Sequence, residues 1–426
     1  MTEKKERFNF PRYEYMCLHP AYIPNAVFVS LEQGGGVSKP LVKPGDSVFE
    51  GQTIASGYKT SVPVHAPIPG TVIDITERTM PDGKNAECIC IAFKGSFNFE
   101  GKNCSANLHW NKQSAHKLIS QIRHNGIINT FDTGNASLAW QMEKCSASPV
   151  LGVRLFDFDP SCFVDGFISS FFIDEVLQGV LICATAMQAK SVVFFYSASD
   201  FVLPDKEKTD AYFNKISYSF IKTDTRFYPS GSERVLQKIV KKTPPVQNAV
   251  SSVNLFIDSR TAFSVYKCIV LSMSLTDTII EVNGQALHES KMLKVKIGTP
   301  IRRLLEECGG CEKPPAKIVI NGLIKGTAVC DLDIPVTKYV KTITLLAATD
   351  LPDQTVSQCI HCGFCRKACP LGIQPDRIYS HYTNKAPLEP DILLSAHLCD
   401  NCALCNAACP ARLPLYQTVS TYKEKK

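Results

Sequence analysis

Cys359-Ile-His-Cys362-Gly-Phe-Cys365-Arg-Lys-Ala-Cys369-Pro370 and Cys399-Asp-Asn-Cys402-Ala-Leu-Cys405-Asn-Ala-Ala-Cys409-Pro410 are two runs of one form, C-x2-C-x2-C-x3-C-P. This is the spacing that holds a cubane [4Fe–4S] cluster where two clusters share one domain. The x2 spacing folds a short loop around one face of a cube, so three thiolates reach three irons and backbone N–H groups turn toward the sulfurs. The fourth cysteine is expected to start a helix pointing away and to ligate the other cluster. The expected ligand sets are therefore Cys359, Cys362, Cys365 and Cys409 for the first cluster, and Cys399, Cys402, Cys405 and Cys369 for the second. A zinc site takes its four ligands in pairs, and a disulfide framework needs an oxidising compartment. Neither accounts for two complete runs.

The rest of the 426-residue chain, 45% hydrophobic and 20% charged, has the composition of soluble globular protein and the length of two to four domains. Its net charge of +6 is mild and unclustered. The Lys-rich start and the Lys-Glu-Lys-Lys tail solvate the termini rather than grip nucleic acid. Of 19 cysteines, the eleven outside the two runs, such as Cys17, Cys88, Cys90 and Cys183, mostly sit in apolar stretches. They read as core residues of a reducing compartment. The start MTEKKERFNFPRY lacks the apolar region of a signal peptide. The longest apolar stretch, Phe167 to Tyr196, is broken by Asp174, Glu175 and Lys190, so no membrane span is expected.

In chain order, residues 11–94 read as short strands separated by turns. Val42-Lys-Pro-Gly45-Asp46-Ser-Val48-Phe-Glu-Gly51-Gln52 and Val62-Pro-Val-His65-Ala66-Pro67-Ile-Pro-Gly70-Thr-Val72 argue for a small all-β unit. These two hairpins resemble the barrel-sandwich hybrid of biotinyl and lipoyl carriers. Lys59 stands near the place of the carriers' modified lysine but is flanked by Tyr58 and Thr60, and it is read as an exposed turn lysine. His65 is read as structural, with a domain contact open to it. An α/β pattern follows. Ser114 caps a helix carrying Leu118, Ile119 and Ile122 and stopped at Gly126; Val150–Leu155 is a buried strand; a helix holds Ile173, Val176, Leu177, Val180, Leu181 and Ala184. Ser191–Phe195 is the next strand and Val235, Leu236, Ile239 and Val240 mark another helix, as in βαβ units. From Val253 the pattern becomes α+β, with a helix near 262–271, strands near 279–282, 293–297, 318–320 and 343–346, and a short helix over 300–307. Cys308-Gly-Gly-Cys311 is read as a turn, since a lone CxxC is unspecific. Two short helices are expected between the cysteine runs, an arrangement that resembles the α-helical ferredoxins of large dehydrogenase complexes.

With these parts placed, the chain resembles the RnfC family of the Rnf electron-transport complex over nearly its full length. The carrying residues are His19-Pro20, Gly34-Gly-Gly-Val-Ser-Lys-Pro-Leu-Val-Lys-Pro-Gly-Asp46, Tyr228-Pro-Ser-Gly-Ser-Glu233, Ile297-Gly-Thr-Pro-Ile301, Glu307-Cys-Gly-Gly310, Pro335-Val-Thr-Lys338 and both cysteine runs. The resemblance implies four modules: a barrel-sandwich hybrid (1–98), an α/β domain like the flavin subunit of complex I (113–250), a soluble-ligand-binding β-grasp domain (251–347) and an α-helical two-cluster ferredoxin (348–426). It also implies a peripheral subunit on the cytoplasmic face of the cell membrane, held there by the complex's membrane and ferredoxin-like subunits. Rnf complexes exchange electrons between ferredoxin and NAD while moving Na+ or H+, and RnfC is the NADH-side member.

One departure stands against that picture. The family's flavin loop reads G-G-A-G-F-P-T, whereas Gly126-Ile-Ile-Asn-Thr-Phe-Asp-Thr-Gly134-Asn-Ala-Ser137 retains only Gly134 of the clustered glycines. Glycines are needed where the backbone approaches a phosphate with its N–H groups free, and Asp132 would repel one. The family's E-C-E-P has become Asp157-Phe158-Asp159-Pro160. Two [4Fe–4S] clusters are therefore expected as cofactors, with FMN and NADH binding lost or much weakened. The function expected is electron relay through the clusters within an ion-translocating oxidoreductase. The alternative is an assembly or docking subunit of the same complex, with no catalytic residue of its own.

Overall fold

The computed structural model describes residues 15, 17–33, 35–95, 106–107, 109–131, 136–146, 148–197, 203–225, 228–243, 252–351 and 355–424. The amino-terminal hairpins build two small antiparallel sheets. One orders Ala26–Ser30, Asn85–Phe93, Gly70–Thr79 and Ser47–Val48; the other orders Lys39–Pro40, Thr53–Ser56 and Val64–His65. Val27, Val29, Ile54, Val64, Ile68 and Ile91 close the barrel between them. Gly70 marks the tightest crossing, where a Cβ would stand 1.9 Å from the Ala92 carbonyl. Lys59 lies exposed on a turn with its ammonium 5.3 Å from the Tyr58 ring.

The middle of the chain forms a parallel sheet ordered Ser217–Thr223, Ser191–Ser197, Val150–Arg154 and Leu255–Asp258. Its central strands are buried throughout or nearly so, because helices cover both faces. On one face lie Ala115–His124, Ile173–Ala186 and Ser259–Ile269; on the other lies Glu233–Lys242. Ser114 caps the first of these helices by accepting from the Lys117 N–H at 3.3 Å, and Asp174 and Glu175 occupy the first turn of the second. Gly179 lets two helices touch, since a Cβ there would meet the Ala262 carbonyl at 1.9 Å. The strand Ser217–Thr223 and the helices Leu138–Glu143, Val164–Phe171 and Lys206–Tyr212 are elements that periodicity alone does not single out.

Next comes a six-stranded mixed sheet. The hairpin Asp277–Asn283/Lys291–Lys296, the helix Ile301–Glu307, and the strands Lys317–Ile320, Thr327–Val329 and Thr342–Leu346 give the β-grasp arrangement, with Asp277–Asn283 and Thr342–Leu346 parallel at the centre. His19–Pro20 adds itself in parallel to the edge strand Lys291–Lys296, so the start of the chain is tied to its third quarter. Cys308-Gly-Gly-Cys311 is a turn, with Gly309 and Gly310 at φ +77° and +81°.

The last seventy residues repeat one pattern at an interval of forty. Helices Phe364–Ala368 and Pro375–Asn384 of the first half correspond to Leu404–Ala407 and Leu415–Glu424 of the second, and Pro390–Leu394 lies between. One expectation is corrected here. Cys369 and Cys409 do not begin helices: Cys369 caps the carboxyl end of Phe364–Ala368, and Cys409 follows Leu404–Ala407 by two residues. The prolines after them cannot donate an N–H to continue a helix, and the next helices start only at Pro375 and Leu415. Among the described residues no single helix is long and apolar enough to cross a membrane. The bent pair Val164–Phe171 and Ile173–Ala186 is apolar because it is core.

Candidate functional site: two cysteine cavities and a three-domain cleft

Each cysteine run begins with a loop that doubles back twice. His361 and Gly363 in the first run, and Asn401 and Ala403 in the second, all adopt left-handed backbone, with φ between 53° and 71°. That curl lets cysteines three residues apart face one centre. It also turns an amide inward, since the Asn401 N–H donates to Cys399 Sγ at 3.4 Å. Three cysteines of a run thus converge, and the fourth leaves through the helix toward the other half.

The result is two small cavities. Cys359, Cys362, Cys365 and Cys409 line one, floored by Leu413 and Leu415. Cys369, Cys399, Cys402 and Cys405 line the other, floored by Ile373 and Leu404. Their empty volumes, open mouths included, are about 320 and 370 Å³. Each cavity therefore gathers three cysteines of one run and the last cysteine of the other. Among the described residues no three His, Cys, Asp or Glu side chains close on a single ion. Cubane ligation needs no such convergence, because each thiolate bonds a separate iron. Burial pushes the Cys365 and Cys402 thiols up to about 11 and the Cys405 thiol higher still, the last helped by neighbouring Cys402, Cys399 and Cys369. Neutral thiols in apolar cavities must release protons to bind metal, so metal binding and folding of these loops are coupled.

The second cavity is braced from outside. Lys423 Nζ donates to the Cys399 carbonyl at 2.7 Å, and the Tyr228 hydroxyl donates to the Cys402 carbonyl at 2.7 Å. Arg234 reaches Asp400 at 3.1 Å. Tyr228 and Arg234 belong to the α/β part, and the Tyr228 ring packs edge-on against Phe158 at 5.3 Å.

Phe158 in turn lines a cleft where barrel, α/β part and β-grasp sheet meet. The cleft has about 1370 Å³ of empty space, its open mouth included. Here the structure places Asp157 and Asp159; Gly134 lies outside the described residues. Both acids are engaged. Asp157 accepts from the Asp165 and Gly166 N–H groups at 3.0 and 2.9 Å, capping the helix Val164–Phe171. Asp159 accepts from the Ser161 N–H and hydroxyl at 3.0 and 2.6 Å, and from the Ile324 and Lys325 N–H groups at 3.0 and 3.3 Å. Burial nevertheless raises both carboxyl groups above the usual range.

Arg154 is a site residue that a sequence reading takes for part of a buried strand. Fully buried, it donates to the carbonyls of Phe156 (3.0 Å), Gly231 (2.8 Å) and Phe131 (3.0 Å), with its guanidinium 4.2 Å above the Phe131 ring. A charged residue at the carboxyl end of an apolar strand is the signal that could have found it. Behind it Lys341 pairs with Asp165 at 2.5 Å and Asp258 at 2.6 Å. Burial and the neighbouring Asp258 push Asp165 up to about 7, whereas Lys341, Arg154 and Arg260 hold Asp258 well below the usual range despite its burial. His65, at a domain contact, is buried opposite His124 and Lys338, and burial lowers it to about 3. The Lys338 ammonium donates to the Gly126 carbonyl at 2.8 Å and the Pro63 carbonyl at 3.3 Å, joining all three parts.

Known proteins share this architecture. Residues 14–96 match the RnfC barrel sandwich hybrid domain, and residues 355–413 match the 4Fe-4S dicluster domain. The C subunit of the ion-translocating oxidoreductase complex of Pectobacterium carotovorum is 26% identical over 369 residues, 84% of this chain and 48% of that protein. The C subunit of the proton-translocating ferredoxin:NAD(+) oxidoreductase complex of Clostridium ljungdahlii is 27% identical over 84% of this chain and 79% of its own length. The corresponding Serratia proteamaculans protein is 27% identical over 85% and 52% respectively. The chain thus spans about half the length of two of these relatives. Crystal structures of an NAD+-reducing [NiFe]-hydrogenase share the fold, with TM-scores of 0.51 (air-oxidized) and 0.52 (H2-reduced) at 10% and 11% identity, covering 72% and 76% of this chain and 63% and 66% of theirs. With a barrel-sandwich hybrid matched in front and an iron–sulfur dicluster domain matched behind, the chain is similar to the C subunits of ion-translocating oxidoreductase complexes over 84–85% of its length.

Proposed function

We propose that this chain is the peripheral electron-transfer subunit of an Rnf-type ion-translocating oxidoreductase. It relays single electrons through two [4Fe–4S] clusters between the ferredoxin and NAD(H) sides of the complex. The observation that carries this reading is the composition of the two cavities, each assembled from both cysteine runs. Cys359, Cys362, Cys365 and Cys409 would hold one cluster, and Cys399, Cys402, Cys405 and Cys369 the other. Cross-ligation keeps two cubanes within one small domain, close enough to exchange electrons. Bound there, the clusters supply one-electron chemistry; the protein supplies thiolates, apolar walls and the N–H donor to Cys399 that tune their potentials.

The division into residues 1–98, 113–250, 251–347 and 348–426 belongs to the same reading, as does a place on the cytoplasmic face of the cell membrane, held by the membrane and ferredoxin-like subunits of the complex. FMN and NADH binding is proposed to be lost or much weakened. Supporting this, Asp157 and Asp159 spend their oxygens on backbone N–H groups, and Arg154 spans the cleft floor. A scaffold role for the α/β part follows as the second reading, favoured by those same engaged acids.

The test is anaerobic purification with partner subunits, followed by iron and flavin quantitation on one sample. Roughly eight irons per chain and no stoichiometric flavin are expected. A metal-free preparation made without oxygen, or reduced protein with no [4Fe–4S] EPR signal after reconstitution, overturns the relay. One flavin per chain that NADH bleaches overturns the loss of the nucleotide site.

A further inference from the structure

The two cysteine cavities differ in exposure. The second is turned inward: Cys402 is buried, and its loop is held by Tyr228 and Arg234 of the α/β part. The first is turned outward, with Cys362 exposed. In the segment that opens this run three large apolar side chains are more than half exposed within nine residues: Val356 at 58%, Ile360, which lines the cavity, at 65%, and Phe364 at 51%. Solvent-facing protein surface seldom gathers apolar side chains this densely unless something covers them.

The exposed charged side chains of the segments that frame this cavity are cationic, while Asp376 in its wall is paired with Arg366. The Ser357 N–H donates to the Ala411 carbonyl at 3.1 Å, which brings the tail of the second run, with exposed Arg412, to the same segment. The Lys367 ammonium sits 5.8 Å from the Phe364 ring. Arg366 pairs with Asp376, which is buried. No acidic residue occurs in 355–367 or 409–412, so Lys367 and Arg412 have no neighbour of opposite charge in those segments.

We propose that this face is the docking surface for an acidic, cluster-bearing electron-transfer protein, and that the first cluster is the terminal through which electrons cross to it. The proposal rests on the relay reading above. An apolar centre with a cationic rim fits a partner whose exposed cluster edge is apolar and ringed by carboxylates. A second copy of this chain would bring the same positive rim, and a membrane anchor needs a denser group of Lys and Arg than this patch offers. A cluster held by Cys359, Cys362, Cys365 and Cys409 would supply one-electron chemistry at this face, so that the one electron it gave up would be the one electron gained by the partner's cluster. No bond forms or breaks and no proton moves.

The test uses the full chain, anaerobically reconstituted and dithionite-reduced, mixed in stopped flow with an oxidised acidic two-[4Fe–4S] ferredoxin. The second-order rate should fall as salt is added. It should fall roughly tenfold at low salt in the Lys367→Glu/Arg412→Glu variant and in Phe364→Ser, while Lys43→Glu on the barrel leaves it unchanged. Iron content is measured on every sample. A chain that takes up no iron overturns the relay reading; a chain with both clusters whose rate ignores salt and all three patch substitutions overturns the docking surface alone. Retention on anionic phospholipid vesicles that the charge reversal abolishes, with transfer to ferredoxin unchanged, also overturns it.

Discussion

Paired removal of ligands distinguishes crossed from local ligation, because the two arrangements predict opposite iron counts. The cavities pair Cys359 with Cys409 and Cys369 with Cys399. Removing Cys359 and Cys409 together takes two thiolates from one cubane and none from the other. That variant should retain roughly four of roughly eight irons per chain, and the surviving cluster should give an EPR signal free of coupling to a neighbour. Removing Cys359 and Cys369 takes one thiolate from each cubane, and iron should fall toward zero after stringent desalting. Local ligation, in which each run closes its own cluster, predicts the reverse: half retention for Cys359→Ala/Cys369→Ala and loss of both clusters for Cys359→Ala/Cys409→Ala. Alanine is preferable to serine, since a hydroxyl can substitute as a ligand. Iron and acid-labile sulfide per chain, after anaerobic reconstitution, decide the matter. Equal iron in the two double variants would refute the reasoning as surely as the reversed order.

Other consequences concern the joints. Arg154→Met leaves three carbonyls without their donor and removes a cation beside buried Asp165, a loss of about 3–5 kcal/mol visible as a lower first unfolding transition; Arg154→Lys should rescue little, because an ammonium cannot span three diverging acceptors. Asp159→Ala strips the part-buried Ile324 and Lys325 N–H groups of their acceptor and should cost about 1–3 kcal/mol, with faster proteolysis between the α/β part and the β-grasp sheet. Burial lowers the Lys338 ammonium to about 7. Above pH 7 and up to the ordinary lysine value the unfolded chain therefore holds a proton that the folded chain has released, so this group's contribution to stability rises with pH across that window. Lys338→Met should flatten the rise in a comparison of wild-type and variant melting points between pH 7 and 9.5, and a parallel pair of curves would refute it.

The parts of the fold that are legible in the sequence are those fixed by local spacing. Helices with an apolar stripe, such as Ile173–Ala186, declare themselves because residues 3, 4, 7 and 8 apart share a face. The convergence of three cysteines within each run is legible because x2 spacing is a statement about loop curvature that needs no tertiary contact, whereas the fourth cysteine of each cavity arrives from the other run. What stays hidden depends on convergence from distant sequence. His19–Pro20 is a two-residue strand whose pairing is set by Lys291–Lys296, and no period can be read from two residues. Arg154 sits inside an apolar run and reads as part of it; its carbonyl partners come from Phe131, Phe156 and Gly231, which only the folded cleft brings together. The motif leads one to expect helices opening at the fourth cysteines, but the Pro370 and Pro410 that follow them end one helical segment before the next can begin.

The fate of the acid pair connects the cleft to the clusters. An exposed carboxylate in a nucleotide cleft must keep an oxygen free for its ligand, whereas a capping carboxylate must give its oxygens to amides. Asp157 and Asp159 have shorter arms than the glutamates of the family pattern, and each reaches backbone N–H groups close at hand. By also holding Ile324 and Lys325, Asp159 fixes the β-grasp turn beside Phe158, where Ile324 packs with Tyr228, Cys402 and Leu404. The cleft floor and the wall of the second cluster cavity are thus one packed unit. Loss of nucleotide binding is therefore compatible with keeping acids at both positions, because the second cluster's loop depends on the same packing. An Asp159→Ala chain should accordingly lose iron from the Cys399 cavity before the Cys359 cavity on mild chelation, although no ligand has been changed.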